Sequence, residues 1–500
     1  MNVETRVAAR TEAETTHYDV LIVGAGISGI DAAYHLQRDM PGKTFAMLDK
    51  QASFGGTWYV HRYPGIRSDS DLYTFGYSWK PWTGVPIAKA DEILKYLDEA
   101  IDEQDLRRHM RFGQNVRAAS WDSEAALWTL TVEDLATGAT RPMTCSFLWM
   151  CQGYYRHDQG YMPDYPGMDR FCGEIVHPQT WPEDLDYAGK KVVVIGSGAT
   201  AATVVPAIAD QTGHVTMLQR SPTYFFARPN THELAEMLKP LDLPDEQFHD
   251  IMRRKYLHDQ KTVTRRSFEE PESLRNDLLA GARAYLGEDY PIDPHFTPTY
   301  RPWRQRLALI PDGDFFKAIR SGKASVVTDT IETFTESGIQ LTSGEHLDAD
   351  IIISATGFHM SPLGDIPFRV DGEMLDFAKC WAHRGIMFSG LPNLAWVFGY
   401  LRTSWTMRAD LIADFVTRVL KRMDADGSRI VMPTLRDSDM QMEPKPLVDA
   451  ENFNAGYLQR SMHLMPRQGD RQPWIFSQDY FTEKDEIAGA DLEDGTLIFT

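Results

Sequence analysis

An α/β protein with two Rossmann-like dinucleotide-binding domains is the fold this sequence predicts, the second domain inserted in the first and carrying a helical insertion of its own. Three observations carry the prediction. The apolar run Tyr18–Val23 opens onto the glycine turn Gly24-Ala25-Gly26-Ile27-Ser28-Gly29, and Lys191–Ile195 opens onto Gly196-Ser197-Gly198-Ala199-Thr200-Ala201. Helical periodicity follows each turn, as a βαβ nucleotide unit requires. Strand and helix patterns resume at Leu391–Phe398 and Ala409–Met423, beyond the second turn's own strands, and this order predicts that the first domain is split.

The elements follow in order. Residues 1–16 are a polar lead without the apolar core of a signal peptide. Strand Lys43–Leu48 ends at Asp49, 20 residues past Gly29, the spacing of a first βαβ unit. Residues 50–86 are rich in Gly, Pro, Trp and Tyr and read as a long structured loop that lines a ligand. Ala90–His109 reads as an amphipathic helix, Met110–Phe112 as a strand, Val116–Glu133 as a β-meander and Ser146–Met150 as a buried strand. These elements set a first part at 1–153 and a linker at 154–189. The second domain, 190–378, holds the helix Ala199–Ile208, the strand Val215–Gln219 and further strands at 325–327, 331–341 and 350–357. Its residues 230–300 read as the helical insertion, and 379–500 as the second part of the first domain with a C-terminal region.

Composition narrows the function. With 500 residues and 43% hydrophobic content the chain builds sizeable cores. Its 51 basic and 71 acidic residues give a net charge of −20, which argues against nucleic acid and anionic lipid as partners. Cys145, Cys151, Cys172 and Cys380 form no Cys-x-x-Cys pair and show no metal-ligand spacing, so no metal is expected and the cysteines read as reduced thiols of a cytoplasmic enzyme. No apolar run reaches the 18 residues of a membrane span. Asn452–His463 reads as a solvated helix, with an amphipathic face toward lipid or a partner as the alternative. The expected state is a monomer or weak homo-oligomer.

The two turns differ in chemistry. The first has three glycines, for the tight turn, for close approach of a pyrophosphate and for helix–strand packing, and Asp49 stands where a carboxylate accepts ribose hydroxyls. The second carries Ala201 at its third position, and its next strand ends in Gln219-Arg220 rather than in Asp or Glu. A guanidinium there pairs with a 2′-phosphate, which favours NADPH over NADH. Ser197 and Thr200 read as phosphate donors or as helix caps.

Between the turns lies Phe171-Cys172-Gly173-Glu174-Ile175-Val176-His177-Pro178-Gln179-Thr180-Trp181-Pro182. It matches Phe-x-Gly-x-x-x-His-x-x-x-Trp-Pro at every fixed place, and on this segment the chain resembles the Baeyer–Villiger monooxygenases, class B flavoprotein monooxygenases. The resemblance extends over Phe54–Trp58, Arg62–Gly65, Arg67–Asp69, Trp303–Leu307, Ala355–Gly357 and 381–410, nearly the whole chain. Ile66–Asp71 and Pro311–Asp314 are similar to the compact subgroup that includes the mycobacterial ethionamide-activating enzyme.

The resemblance implies FAD in the first domain, NADPH in the second, and ketone plus O2 as substrates. NADPH would reduce the flavin, O2 would add at C4a, and the deprotonated peroxide would convert a linear aliphatic or aryl ketone to an ester or lactone, with sulfoxidation as a side activity. Arg306 is the implied catalytic cation and Asp69 its carboxylate partner, with Asp71 as rival to Asp69 and turn capping as that rival's ordinary role. Implied cofactor contacts are Gly24, Gly26, Ser28, Gly29, Asp49, Gly56, Thr57, Trp58, Arg67, Ser68, Asp69, Val116, Gly196, Gly198, Ala199, Thr200, Arg220 and Trp405. His177 and Trp181 are assigned to coupling domain rotation with NADPH binding, Trp58 and Tyr63 to the ring or pocket wall, and Trp405 and Met407 to flavin and substrate contact. The alternative reading is an N- or S-monooxygenase acting through a protonated hydroperoxide; Trp181-Pro182 and Arg306 argue for ketone oxidation.

Overall fold

The computed structural model describes residues 15–500, so the polar lead read at 1–16 falls almost wholly outside them. Strand β1 (Thr16–Val23) leads through the first glycine turn into helix α1 (Ile27–Asp39) and strand β2 (Phe45–Leu48). Val20, Leu21 and Ile22 are sealed from solvent, as expected of a parallel strand covered on both faces. The long loop that follows holds two short helical turns, Thr57–Val60 and Leu72–Phe75. The helix expected over 90–109 ends at Glu103, and β3 (Met110–Arg111) closes the edge beyond it. Strands β4 (Gln114–Asp122) and β5 (Leu127–Asp134) form the meander, with Trp121 opposite Trp128 on its buried face. Strand β6 (Thr140–Met150) then runs parallel to β1 in register Val20↔Phe147.

Beyond β6 the chain leaves this sheet. Strand β7 (Tyr155–Gly160) and β8 (Glu174–Val176) lie in the segment read as linker. Strand β9 (Lys191–Ile195), helix α2 (Ala199–Ile208) and strand β10 (His214–Gln219) form a second βαβ unit around the second turn. The 230–300 region contains two long helices, α3 (Asp245–Glu269) and α4 (Pro271–Leu286). Strands β11 (Ala324–Thr328) and β12 (Ile351–Ser354) complete a five-stranded parallel sheet in the order β11-β10-β9-β12-β8. Strand β13 (Phe358–Met360) pairs antiparallel with β7.

The chain then rejoins the first sheet. Strands β14 (Phe368–Val370) and β15 (Glu373–Met374) extend it beside β4, and β16 (Leu394–Trp396) adds to the free edge of the upper half of β6. Its main order is β15-β14-β4-β5-β6-β1-β2-β3. Helix α5 (Trp405–Asp426) starts four residues before the expected 409, after the buried N-cap residue Ser404, whose hydroxyl bonds Thr74 Oγ1 at 2.6 Å and not a helix N–H. It packs on α1, and this pair covers one face of the first sheet. Among the described residues, no helix is long and apolar enough to cross a membrane.

Candidate active site

The first turn shapes the site by backbone contact. Gly24 has φ +109°, and a Cβ on it would stand 2.5 Å from Cys151 O; one on Gly29 would stand 1.9 Å from Gly24 O. Glycine at both places lets α1 start close against β1 and β6. Helix α1 starts at Gly26 without a side-chain cap and with no acidic residue in its first turn. Its free N–H groups and positive dipole end therefore face an anion-ready space. That space is a cavity of about 680 Å³ bordered by Gly26, Ile27 and Ser28.

Across the cavity, Asp49 is tied to the turn: its Oδ2 accepts the Ala25 N–H at 2.7 Å and its Oδ1 the Gln51 N–H at 2.8 Å. Burial pushes its carboxyl above the usual range despite both bonds. Ser28 accepts the indole N–H of Trp405 at 2.7 Å, which joins the start of α5 to the start of α1. Gly56, Thr57, Trp58, Ser68 and Val116 line the same cavity, as do Tyr63 and, from α2, Ala199 and Thr200. Arg67 lines it too, but its guanidinium is bound by Asp314, so the two segments that suggested the compact subgroup meet in space.

Arg306 and Asp69 come together at the cavity wall. Arg306 Nε lies 2.6 Å from Asp69 Oδ2, an ion pair whose angle leaves the Nε–H without an acceptor along its bond. The other nitrogens donate to Leu401 O at 2.7 Å, Asp69 O at 2.8 Å and Ser70 Oγ at 3.0 Å. Burial is the largest influence and works against the charge, but Asp69 together with the nearby Tyr457, Tyr154 and Tyr155 outweighs it, and the guanidinium is held above its ordinary value. The rival Asp71 is fully engaged elsewhere. It caps the turn Leu72–Phe75 through the Thr74 N–H at 2.9 Å and accepts from Gln260 of α3 at 2.8 Å.

Other candidates lie apart. Gly29 is under the turn, and Gly196, Gly198 and Arg220 do not border the cavity. The second turn forms its own uncapped helix start at Gly198, and Arg220 stands exposed beyond the end of β10. Ser197 Oγ donates to Ser221 O at 3.1 Å, and the Gln219 amide turns inward to His295 O and Thr328. Met407 is sealed inside α5, away from the cavity, because it lies on the helix face opposite solvent. Trp181 borders a separate hollow with Arg62 and Tyr187.

His177 is locked as a bridge. Its Nδ1 accepts the Gln179 N–H at 3.1 Å, so its Nε2 carries the proton and donates to Gly357 O at 3.1 Å. Burial lowers its pKa, which suits a neutral ring. It thereby fastens the signature to the turn after β12.

Several cavity residues were not legible in the sequence. Tyr154 and Tyr155 follow the carboxyl end of β6, with their hydroxyls 3.1 Å apart, and Tyr457 arrives from the C-terminal region. Tyr154 stacks on Trp405 with centroids 5.1 Å apart. His61 borders the cavity with a buried Nε2 that has no hydrogen-bond partner. Position past a parallel strand's carboxyl end was the one available signal, and it applied to the tyrosine pair alone.

Two uncapped helix starts, each after a glycine turn, with the Asp49 carboxylate at one and an exposed arginine at the other, fit a pair of dinucleotides. The fold and site define an oxidoreductase that works with two nucleotide cofactors. Residues 86–239 match the family model of flavin-binding monooxygenase-like proteins, and 22–88 match an NAD(P)-binding Rossmann-like domain. The chain is 45% identical over 491 residues to the FAD-containing monooxygenase EthA of Mycolicibacterium smegmatis, covering 97% of this chain and 98% of that protein. It is 43% identical to the probable FAD-binding monooxygenase AlmA of Acinetobacter baylyi, covering 97% and 96%. Its fold is similar to that of a steroid monooxygenase bound to NADP, with TM-score 0.76 at 24% identity over 97% of this chain and 99% of that one. The chain belongs to the class B flavin monooxygenases and is an FAD- and NADPH-dependent flavoprotein oxygenase.

Proposed function

We propose that this enzyme is a Baeyer–Villiger monooxygenase that converts linear aliphatic or aryl ketones to esters or lactones, with sulfoxidation as a side activity. The observation that carries the reading is the Arg306–Asp69 pair at the cavity wall, with a guanidinium N–H left without an acceptor. In this reading residues 1–153 and 379–500 hold FAD, 154–189 link, and 190–378 form the inserted NADP domain, except that β14 and β15 within that last range pair with the first sheet and β8 of the linker pairs with the second.

The start of α1 would bind the FAD pyrophosphate and Asp49 the ribose hydroxyls. Arg220 would pair with the NADPH 2′-phosphate beside the second turn. Bound flavin, reduced by the nicotinamide, supplies the activated oxygen. Arg306 would stabilise negative charge as it gathers on the carbonyl oxygen, and Asp69 would hold the guanidinium in place. Trp58, Tyr154 and Trp405 would exclude water and limit substrate size. His177 would couple NADPH binding to movement of the second domain.

The test is product analysis with purified yellow protein, NADPH and air, offering 2-dodecanone, phenylacetone, cyclohexanone and methyl phenyl sulfide. Esters or lactones support the reading. Sulfoxide without ester would move the enzyme to heteroatom oxygenation.

A further inference from the structure

Helices α1 and α5 enclose a polar cluster that the oxygenation chemistry does not use. Asp31 and His35 stand four residues apart on one face of α1, and Asp410 faces them from α5. Asp31 is 0%, His35 3% and Asp410 9% exposed. His35 Nε2 lies 3.7 Å from Asp31 Oδ1 and 3.6 Å from Asp410 Oδ1. Asp31 Oδ2, His35 Nε2 and Asp410 Oδ1 are all buried without a hydrogen-bond partner. One atom from each of the three residues falls within 4.8 Å of the other two. Two of these orphaned atoms, His35 Nε2 and Asp410 Oδ1, face each other across 3.6 Å, with Asp31 Oδ1 3.7 Å from the same Nε2, and such buried groups are costly unless something sits between them.

The surroundings orient each group inward. Trp79 Nε1 donates to Asp31 Oδ1 at 3.0 Å, which fixes the carboxylate with that oxygen 3.7 Å from His35 Nε2. Asp414 Oδ1 lies 3.2 Å from His35 Nδ1 on the outer side. A proton on Nδ1 directed to that carboxylate frees the Nε2 lone pair, the carboxylate–histidine arrangement that metal ligands use. Arg38 Nη2 lies 3.1 Å from the same Nδ1 and can only donate, so this tautomer takes Asp414 and not Arg38 as the Nδ1 partner; Arg253 lies 3.8 Å from Asp410 Oδ2. With two carboxylates and one imidazole, a divalent ion would have three protein ligands of mixed oxygen and nitrogen character.

We propose that Asp31, His35 and Asp410 form a buried site for one divalent transition-metal ion, of the zinc or manganese kind. The sequence shows no metal-ligand spacing because the third ligand comes from a helix far along the chain. The site would pin α1 to α5 just behind Gly26 and Ser28, where α1 starts and Trp405 docks. It is separate from the cavity and does not depend on the Baeyer–Villiger reading.

The test is elemental analysis of the FAD-loaded enzyme after dialysis against metal-free buffer, followed by thermal melting with a chelator and with added ZnCl2 or MnCl2. The expected result is one equivalent of a transition metal. A hundredfold excess over its Kd would shift the folding equilibrium by a factor of about 100. His35→Gln and Asp31→Asn should lose the metal and the melting response. Wild-type protein free of metal, with a melting point unmoved by either salt, overturns the proposal and leaves the cluster as an imidazolium ion pair. The wild-type measurement decides even where a variant fails to fold.

Discussion

At the scale of single residues, Arg306 and Arg220 separate two jobs that sequence alone places on arginines. Arg306 is fixed by Asp69, Ser70 and Leu401, so its loss removes one charge from a wall that other contacts maintain. Arg306→Ala should leave NADPH-driven flavin bleaching nearly intact and reduce ester formation by about 10² to 10³-fold, the usual effect of losing one oxyanion donor. Stopped-flow absorbance and product chromatography read the two steps separately, and near-normal ester yield would remove Arg306 from the chemistry. Arg220 has no ion-pair partner among the described residues and stands by the second turn. Arg220→Ala should raise KM for NADPH about tenfold more than KM for NADH, since a forked charge-assisted guanidinium–phosphate contact is worth about 1.4 kcal/mol. Equal changes in both would deny it the 2′-phosphate.

At the scale of elements, what the sequence discloses depends on how local the cause is. The two glycine turns and the strands feeding them carry a local sequence signal even though their glycines are also required by distant backbone, Cys151 O for Gly24 and Ala355 O for Gly196, and Lys191–Ile195 and Ala199–Ile208 appear with the bounds that periodicity predicts. The 230–300 region shows only a helical tendency, because α3 is polar almost all round and buries a narrow line of His249, Met252 and Tyr256. Its role comes from a tertiary contact: Arg253 donates to Tyr73 O at 2.9 Å, and Gln260 donates to Asp71 at 2.8 Å, two residues beyond Asp69. Resemblance alone favours Asp69 over Asp71, and the fold adds the surroundings in which the two differ: Asp69 lies 2.6 Å from Arg306, while Asp71 caps Leu72–Phe75. Helix α5 makes the same point energetically. Arg408 is completely buried in it, bound by Glu483 at 2.9 Å and by Phe398 O at 2.8 Å. Glu483→Ala leaves that charge unpaired in the core and should lower stability by about 3 to 5 kcal/mol. Glu483→Gln, which keeps an acceptor, should cost less; urea unfolding followed by flavin release distinguishes them, and equal losses would mean packing rather than charge.

At the scale of the whole molecule, buried imidazoles set the response to acid. His61 and His383 are held neutral by burial, with pKa values pushed down to about 3, and His157 to about 4. An unfolded histidine titrates near 6.5, so between that pH and the folded value the unfolded chain binds a proton that the folded one refuses. Stability is therefore unaffected by these groups above pH 6.5 and falls as the pH drops below it, by a factor of about ten in the folding equilibrium per pH unit for each histidine. Buried carboxyls raised by desolvation, Asp49 and Asp71 among them, push in the opposite direction, so the contribution has to be read as a difference between variants. His383 is the clean case: it lies away from the cavity, bonds only Thr496 Oγ1 at 3.0 Å and leaves Nδ1 without a partner. At pH 5 its refused proton costs a factor of roughly 30 in the folding equilibrium, which His383→Gln should abolish. Denaturation midpoints of wild type and variant measured from pH 7.5 to 4.5 should therefore draw together, or cross, as the pH falls. Parallel curves would show that His383 takes up its proton in the folded protein at an ordinary pH, and that the contact between His383 and Thr496 opens to water.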